Sequence, residues 1–334
     1  MSIDARLNKL LKQAGNVPLT ENYLKRVSNA YATAITEINN SLAAMYNKFG
    51  DKVPIEKLYE KQRLTALRRE IQTILGKAQR TVRNVTRGAI ETNLIDGYAW
   101  DGYAYTEVFT GGAGVKMNFA KFDPNLTIAS VKNPKDKITD YIFKQQGANG
   151  KWHWENSLKD SHAKAFRVVN DRITQGLIQG KGYSKTSRDI RRSLFGKKKH
   201  QFNMVKSVER IVRTESQKAR NLAHLIGYED LKKQSKGEFE TRRLWEATFD
   251  DRVRDSHIAL QDVPEDKEGM WTIEGTKTPA PTMSGVAGID INCRCRAIVE
   301  TKGLESSYVE SNVSTKLTKS GFDAYKNNGY SKVA

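Results

Sequence analysis

Long-range helical periodicity is the feature that most limits how this 334-residue chain can fold. Apolar residues recur every three or four positions from Leu24 to Phe49, after Thr20 as a candidate N-cap. The same spacing runs through residues 55–92, where the opposite face carries Arg and Lys. Two long helices joined by a short turn predict an antiparallel pair that buries its apolar stripes and exposes a basic face.

The pattern changes three times further along the chain. Tyr, Gly and turn residues replace the periodicity in 97–155, helical spacing returns in 156–236 with Ser184 or Ser187 as a candidate cap, and short strand-like segments follow. We therefore predict a mainly α protein with long N-terminal helices, a basic helical middle region and a small α+β C-terminal module. The predicted segments are a helical arm (1–96), an irregular Tyr/Gly-rich connector (97–155), a basic helical region (156–236), the α+β module (237–300) and a flexible polar tail (301–334).

Positive charge is unevenly distributed. The formal net charge of the chain is +18. Residues 1–92 carry +8 and residues 151–233 carry +12, whereas residues 234–300 carry −4. Such blocks favour a polyanionic partner, and we expect non-specific contacts to phosphates of double-stranded DNA because no base-reading residues can be assigned. The candidate DNA-binding residues are Arg188, Arg191, Arg192, Lys197, Lys198, Lys199, Lys206 and Arg210.

Several protein classes are disfavoured by the sequence. No apolar run reaches the length of a membrane span, and residues 1–15 lack the apolar core of a secretory signal. The two cysteines, Cys293 and Cys295, are too close together for a comfortable disulfide, so we expect a reducing environment.

These cysteines and His257 are candidate metal ligands. In an extended segment, residues two apart point to the same face, so both thiols would lie together. With His257 they would offer three ligands to zinc, and Asp250 or Asp290 is a candidate fourth. The same residues also fit a reduced apolar core with an ordinary hydrogen-bonded histidine. A nucleophile–base set of Asp250, His257 and Cys293 lacks an oxyanion device, so catalysis is disfavoured.

The C-terminal residues also resemble a known family. Trp245, Asp250, Arg252, Arg254 and His257 are followed by Gly269, a Pro-rich loop and the run Asn292-Cys293-Arg294-Cys295, with Arg213-Thr214-Glu215 upstream. Together these are similar to the phage head-morphogenesis domain of the Mu F-like minor head proteins, over about residues 155–300. The resemblance marks Arg213, Glu215, Trp245, Asp250, Arg254 and Asn292 as motif residues.

The resemblance implies a minor component of a tailed-phage head and no catalytic activity. Such proteins associate with the portal and with capsid or scaffolding proteins, and some bind DNA and leave the head with it. The expected location is the virion interior, after assembly in the host cytoplasm. Two alternatives stay open, namely a metal-dependent enzyme acting on nucleic acid through His257, Cys293 and Cys295, and a cellular DNA-packaging protein unrelated to phage.

Overall fold

A computed structural model describes residues 3–15, 19–49, 63–110, 117, 119, 154–196, 203–235, 239–248, 250, 252–302 and 316–328. Helices dominate this part of the chain, which confirms the predicted mainly α class. No helix in it is long and apolar enough to cross a membrane.

The helices and strands follow one another in this order. The helical part comprises α1 (Ile3–Gly15), α2 (Glu21–Phe49), α3 (Arg63–Tyr105, continued by a π-helical turn at Thr106–Thr110), α4 (Trp154–Ile178), α5 (Tyr183–Phe195) and α6 (Met204–Ser235). The C-terminal part comprises β1 (Glu240–Glu246), α7 (Asp255–Ile258), β2 (Trp271–Ile273), β3 (Thr276–Thr278), α8 (Ala287–Asp290), β4 (Arg296–Lys302) and α9 (Lys319–Asn327).

The starts of the helices agree only partly with the predicted caps. Helix α2 begins directly after Thr20, whose carbonyl accepts the first helical N–H groups. The side chain of Asn203 accepts the Lys206 N–H and caps α6. The predicted Ser184 or Ser187 cap is wrong, because α5 already begins at Tyr183, after an extended Gly182.

The chain divides into two compact units, each built from separate stretches of sequence. Unit 1 contains residues 1–19, 90–153 and 214–334, and unit 2 contains residues 20–89 and 154–213. Two boundaries between the units fall inside helices. One lies in α3, between residues 89 and 90, and the other lies in α6, between residues 213 and 214.

Unit 2 is a helical assembly around aliphatic side chains. Its fully buried residues include Val27, Ile38, Leu42, Ile71, Val82, Val169, Ile173, Ile190 and Val212. Helices α4 and α5 approach closely at Gly176, where an added Cβ would lie 2.6 Å from Thr186 Oγ1. Buried polar contacts join α2 to α4, since the Tyr31 hydroxyl lies 2.8 Å from His162 Nε2.

Unit 1 contains an aromatic core that corrects two sequence predictions. The residues 97–105, predicted as irregular connector, are the last turns of α3, where Trp100 is buried. Its indole stacks on Phe322 of α9 with ring centroids 4.0 Å apart. The prediction of a flexible tail is therefore wrong for residues 319–327, because Phe322 and Tyr325 are buried on one face of a helix. Residues 154 and 155 of the predicted connector begin α4. The rest of the connector and of the tail, apart from 106–110, 117, 119, 301, 302, 316–318 and 328, lies outside the described residues.

The α+β module lies within unit 1. Strands β1 and β4 pair antiparallel, from Glu240 opposite Lys302 to Glu246 opposite Arg296. Strands β2 and β3 form a short hairpin that the sequence pattern did not predict. The apolar core of the module consists of Trp245, Ala247, Trp271, Ile273, Ile289, Cys293 and Cys295.

Candidate functional site

One histidine and both cysteines meet inside the module. His257 Nδ1 lies 3.4 Å from Cys295 Sγ and 3.5 Å from Cys293 Sγ. All three side chains are buried, with 1%, 1% and 4% exposure respectively. Within the described residues they form the only group of three or more potential metal ligands from His, Cys, Asp and Glu.

The backbone places both thiols on one side, as the sequence predicted. The segment 293–295 precedes β4, which begins at Arg296. Arg294 points the other way and donates to Asp250 Oδ1 at 2.6 Å. The guanidinium of Arg294 holds the pKa of the Asp250 carboxyl well below its usual range.

Neither predicted fourth ligand joins the cluster. Asp250 is engaged by Arg294 at the surface. Asp290 accepts from the Ser284 hydroxyl and from the Gly285 N–H, each at 2.8 Å. These bonds join the carboxylate of Asp290, the last residue of α8, to the turn before that helix and keep it away from the thiols. Burial raises the pKa of this carboxyl.

Neighbouring side chains fix the chain segments that carry the cluster. Arg254 donates to the carbonyls of Ile289 and Ile291 at 3.1 and 2.6 Å, which ties α7 to the segment before Cys293. The indole of Trp245 packs against the His257 ring with an interplanar angle of 74°. Both motif residues therefore position the cluster instead of entering it.

Helix α6 supports the same segment from its backbone side. The Thr214 hydroxyl accepts the N–H of Asn292, a residue in the left-handed region at φ 57°. Asn221 donates to the Cys295 carbonyl at 3.1 Å and to the Pro281 carbonyl at 2.8 Å. The motif residue Glu215 follows Thr214 on α6, and Arg213 is exposed beside Glu209.

Each of the two thiols changes the pKa of the other. The Cys293 thiol and His257 stabilise the thiolate of Cys295 by hydrogen bonding, which lowers the pKa of Cys295. The pKa of Cys293 is raised by the same interaction and by burial. The Cys295 thiol therefore loses its proton readily. The Cys293 thiol keeps its proton unless a bound cation balances the charge of a second thiolate.

The predicted DNA-binding residues lie in unit 2. Arg188, Arg191 and Arg192 are exposed on α5, and Lys206 and Arg210 are exposed on α6. Within the described residues none of the five forms an ion pair. Lys197, Lys198 and Lys199 lie outside the described residues.

Unit 1 contains buried charged residues that the sequence pattern does not predict. Asp101 on α3 is fully buried, and its carboxylate lies 2.6 Å from His224 Nδ1 and 3.8 Å from the Arg220 guanidinium. Arg243 on β1 is 2% exposed and pairs with Glu265. Alternation along β1 places Arg243 on the same buried face as Trp245, but the pairing of its charge with Glu265 depends on a residue outside the strand.

A family comparison agrees with the motif. Residues 167–298 match the model of the family described as Phage Mu protein F like protein. This Mu F-like segment makes up 132 of the 334 residues of the chain. The Mu F-like segment runs from α4 to β4 and contains the whole His257, Cys293 and Cys295 cluster.

Two curated relatives extend the similarity beyond the Mu F-like segment. The chain is 25% identical over 319 residues to the NAD(+)–arginine ADP-ribosyltransferase EFV of Enterococcus faecalis, covering 94% of this chain and 59% of that protein. It is 23% identical over 283 residues to the minor head protein GP7 of Bacillus phage SPP1, covering 84% of this chain and 82% of that protein. No solved structure matches.

Proposed function

We propose that this chain is a minor head protein that acts in phage head morphogenesis and binds double-stranded DNA without sequence preference. It associates with the portal and with capsid or scaffolding proteins inside the head, and it leaves the head with the genome. The family assignment supports the head role. The concentration of positive charge in unit 2 supports the DNA binding.

Nearly all of the excess charge falls in unit 2. Unit 2 contains 28 of the 56 Lys and Arg residues but only 11 of the 38 Asp and Glu residues, a formal net charge of +17. Unit 1 carries the remaining +1. A body of this charge concentrates polyanions at its surface, and DNA inside a phage head is the most abundant polyanion it would meet.

Helix α5 presents three of these charges on one face. Arg188, Arg191 and Arg192 are spaced by three and four residues, so their guanidinium groups lie on neighbouring turns. The only acidic residue of α5, Asp189, is paired with Lys181 at 3.0 Å and does not neutralise them. The opposite face of α5 is buried through Ile190 and Leu194, which leaves the arginines free to contact phosphates.

Fluorescence anisotropy with two duplexes of equal length and unrelated sequence tests the proposal. We expect equal affinities that fall steeply between about 50 and about 200 mM salt, because bound phosphates release counterions. The variant R188Q/R191Q/R192Q should reduce the slope of log affinity against log salt by about 2.7, which corresponds to three lost phosphate contacts.

A control of matched charge separates local contacts from net charge. The variant K9Q/K232Q/K267Q removes three exposed positive charges from unit 1 and should leave the slope unchanged. Equal effects of the two triple variants, or an affinity that does not depend on salt, would refute DNA binding through α5.

We propose no enzymatic activity for this chain. The chain spans 59% of the length of the relative named as an ADP-ribosyltransferase, so that activity is not carried over. Assays of nuclease activity with added metal ions and of ADP-ribose transfer from NAD should both be negative. Metal-dependent DNA cleavage that is lost in His257→Ala would favour the enzyme alternative instead. Mass spectrometry of purified virions should detect the chain at low copy, and co-purification with the portal protein tests the proposed association.

A further inference from the structure

We propose that His257, Cys293 and Cys295 bind one zinc ion through Nδ1 and the two thiolates. The site lies in unit 1, and this inference does not depend on DNA binding by unit 2.

The separations between the donor atoms fit a tetrahedral zinc ion. With Zn–S bonds of about 2.3 Å and a Zn–N bond of about 2.05 Å, tetrahedral angles give an N···S edge of about 3.6 Å, whereas trigonal angles give about 3.8 Å. The observed edges from His257 Nδ1 are 3.4 Å to Cys295 and 3.5 Å to Cys293. Zinc can therefore enter between these side chains with little rearrangement.

The donor set selects the ion. Two thiolates and one imidazole suit zinc, whereas magnesium and calcium prefer oxygen ligands. Two thiolate charges balance the divalent cation, so the filled site carries no net charge. That neutrality matters here because the three side chains are almost completely buried, and an unbalanced buried charge is costly.

Outer contacts hold the ligands in place before an ion arrives. Asn221 donates to the carbonyl of Cys295, and the Thr248 hydroxyl donates to the carbonyl of Arg294 between the two cysteines. Arg254 fixes the segment before Cys293 through two backbone carbonyls. Such contacts orient metal ligands and increase metal affinity. Asp250 and Asp290 are bonded elsewhere, so within the part of the chain that the structure describes the protein supplies three ligands.

The module would gain stability from the ion. Its core consists of seven buried side chains, and the two cysteines are among them. An ion bound there links α7 to the segment before β4, across a loop that contains the β2–β3 hairpin. Small modules with few buried apolar residues are commonly stabilised by such links.

Metal content of the purified full chain is the first measurement. We expect about one zinc per chain by inductively coupled plasma mass spectrometry when no metal-affinity step or chelator is used. The variants His257→Leu and Cys295→Ser should lose the metal. The variant His257→Cys keeps a third ligand and should retain it, which separates loss of a ligand from loss of the fold. His162→Gln alters a buried histidine of unit 2 and should keep full zinc content.

Cobalt substitution supplies a spectroscopic readout. Cobalt bound at the site should show thiolate-to-metal charge-transfer absorption in the near ultraviolet, and Cys293→Ser should weaken it. A folded wild-type chain with no bound zinc and with thiol reactivity unaffected by zinc would overturn the proposal. DNA binding should persist in Cys295→Ser, so failure of the zinc proposal and failure of DNA binding are distinguishable.

Discussion

Replacement of Arg243 by Met should destabilise unit 1 strongly. The guanidinium is buried, donates to Glu265 Oε2 through Nε at 2.7 Å, and donates to the carbonyls of Pro279 and Gly269 at 2.8 Å each. Arg243 therefore joins β1 to the turn before β2 and to the loop after β3.

The expected size of the effect follows from what the substitution leaves behind. Glu265 would stay as a buried carboxylate without its cation, and two buried carbonyls would lose their donors. The ring contacts of the guanidinium with Tyr228 and Trp271, at 5.1 and 4.9 Å, would also be lost. Removing one partner of a buried pair costs about 3–5 kcal/mol. A domain with an unfolding free energy of about 5–15 kcal/mol would lose much of its stability.

Urea unfolding followed by tryptophan fluorescence measures this loss, because Trp245 and Trp271 lie in the same core. The matched control is Arg242→Met on the same strand, whose side chain is 42% exposed and pairs with Glu300 at the surface, so little change is expected. The double variant R243M/E265M should recover part of the loss, since it removes both buried charges. Similar unfolding midpoints for R243M and R242M would refute the reasoning.

Further substitutions test unit 2. Burial lowers the pKa of His162 to about 4, so the unfolded chain binds more protons than the folded chain between about pH 6.5 and about pH 4. Stability of unit 2 should therefore fall by about 3 kcal/mol as the pH decreases through that range, and His162→Gln should remove this dependence in urea titrations at both pH values. Gly176→Ala should destabilise unit 2 by about 1–3 kcal/mol because the new methyl group meets Thr186, whereas Gly76→Ala, with its nearest neighbouring atom at 3.9 Å, should stabilise it by about 0.5–1 kcal/mol in thermal melts.

Local periodicity was sufficient to predict most of the helices. The apolar spacing of residues 20–49 predicted α2 almost to the residue, because one continuous stripe is buried along its length. The same principle applied to Cys293 and Cys295, since alternation in an extended segment places two thiols on one side whether or not that segment pairs in a sheet.

Features that depend on distant partners could not be predicted in this way. Trp100 lies among Tyr and Gly residues that are typical of loops, and the helix there is stabilised by packing against Phe322, more than 200 positions later. Arg243 and Arg242 are adjacent and chemically identical, yet the side chain of Arg243 is buried and that of Arg242 is 42% exposed. Strand alternation places Arg243 on the buried face with Trp245, and Glu265 supplies the ion pair that allows a guanidinium to be buried there.

The two proposed activities belong to different units, although the Mu F-like segment contributes residues to both. The charge lies in unit 2, with five exposed basic residues on α5 and α6, and the candidate zinc ligands lie in unit 1. If the Cys and His cluster required positive charge to form, basic residues would be concentrated in the unit that contains it. Unit 1 contains the cluster and is nearly neutral. We therefore expect that the α5 arginine variant keeps its zinc and that the cysteine variants keep the salt dependence of DNA binding. Loss of both properties in either variant would show that the two units do not act independently.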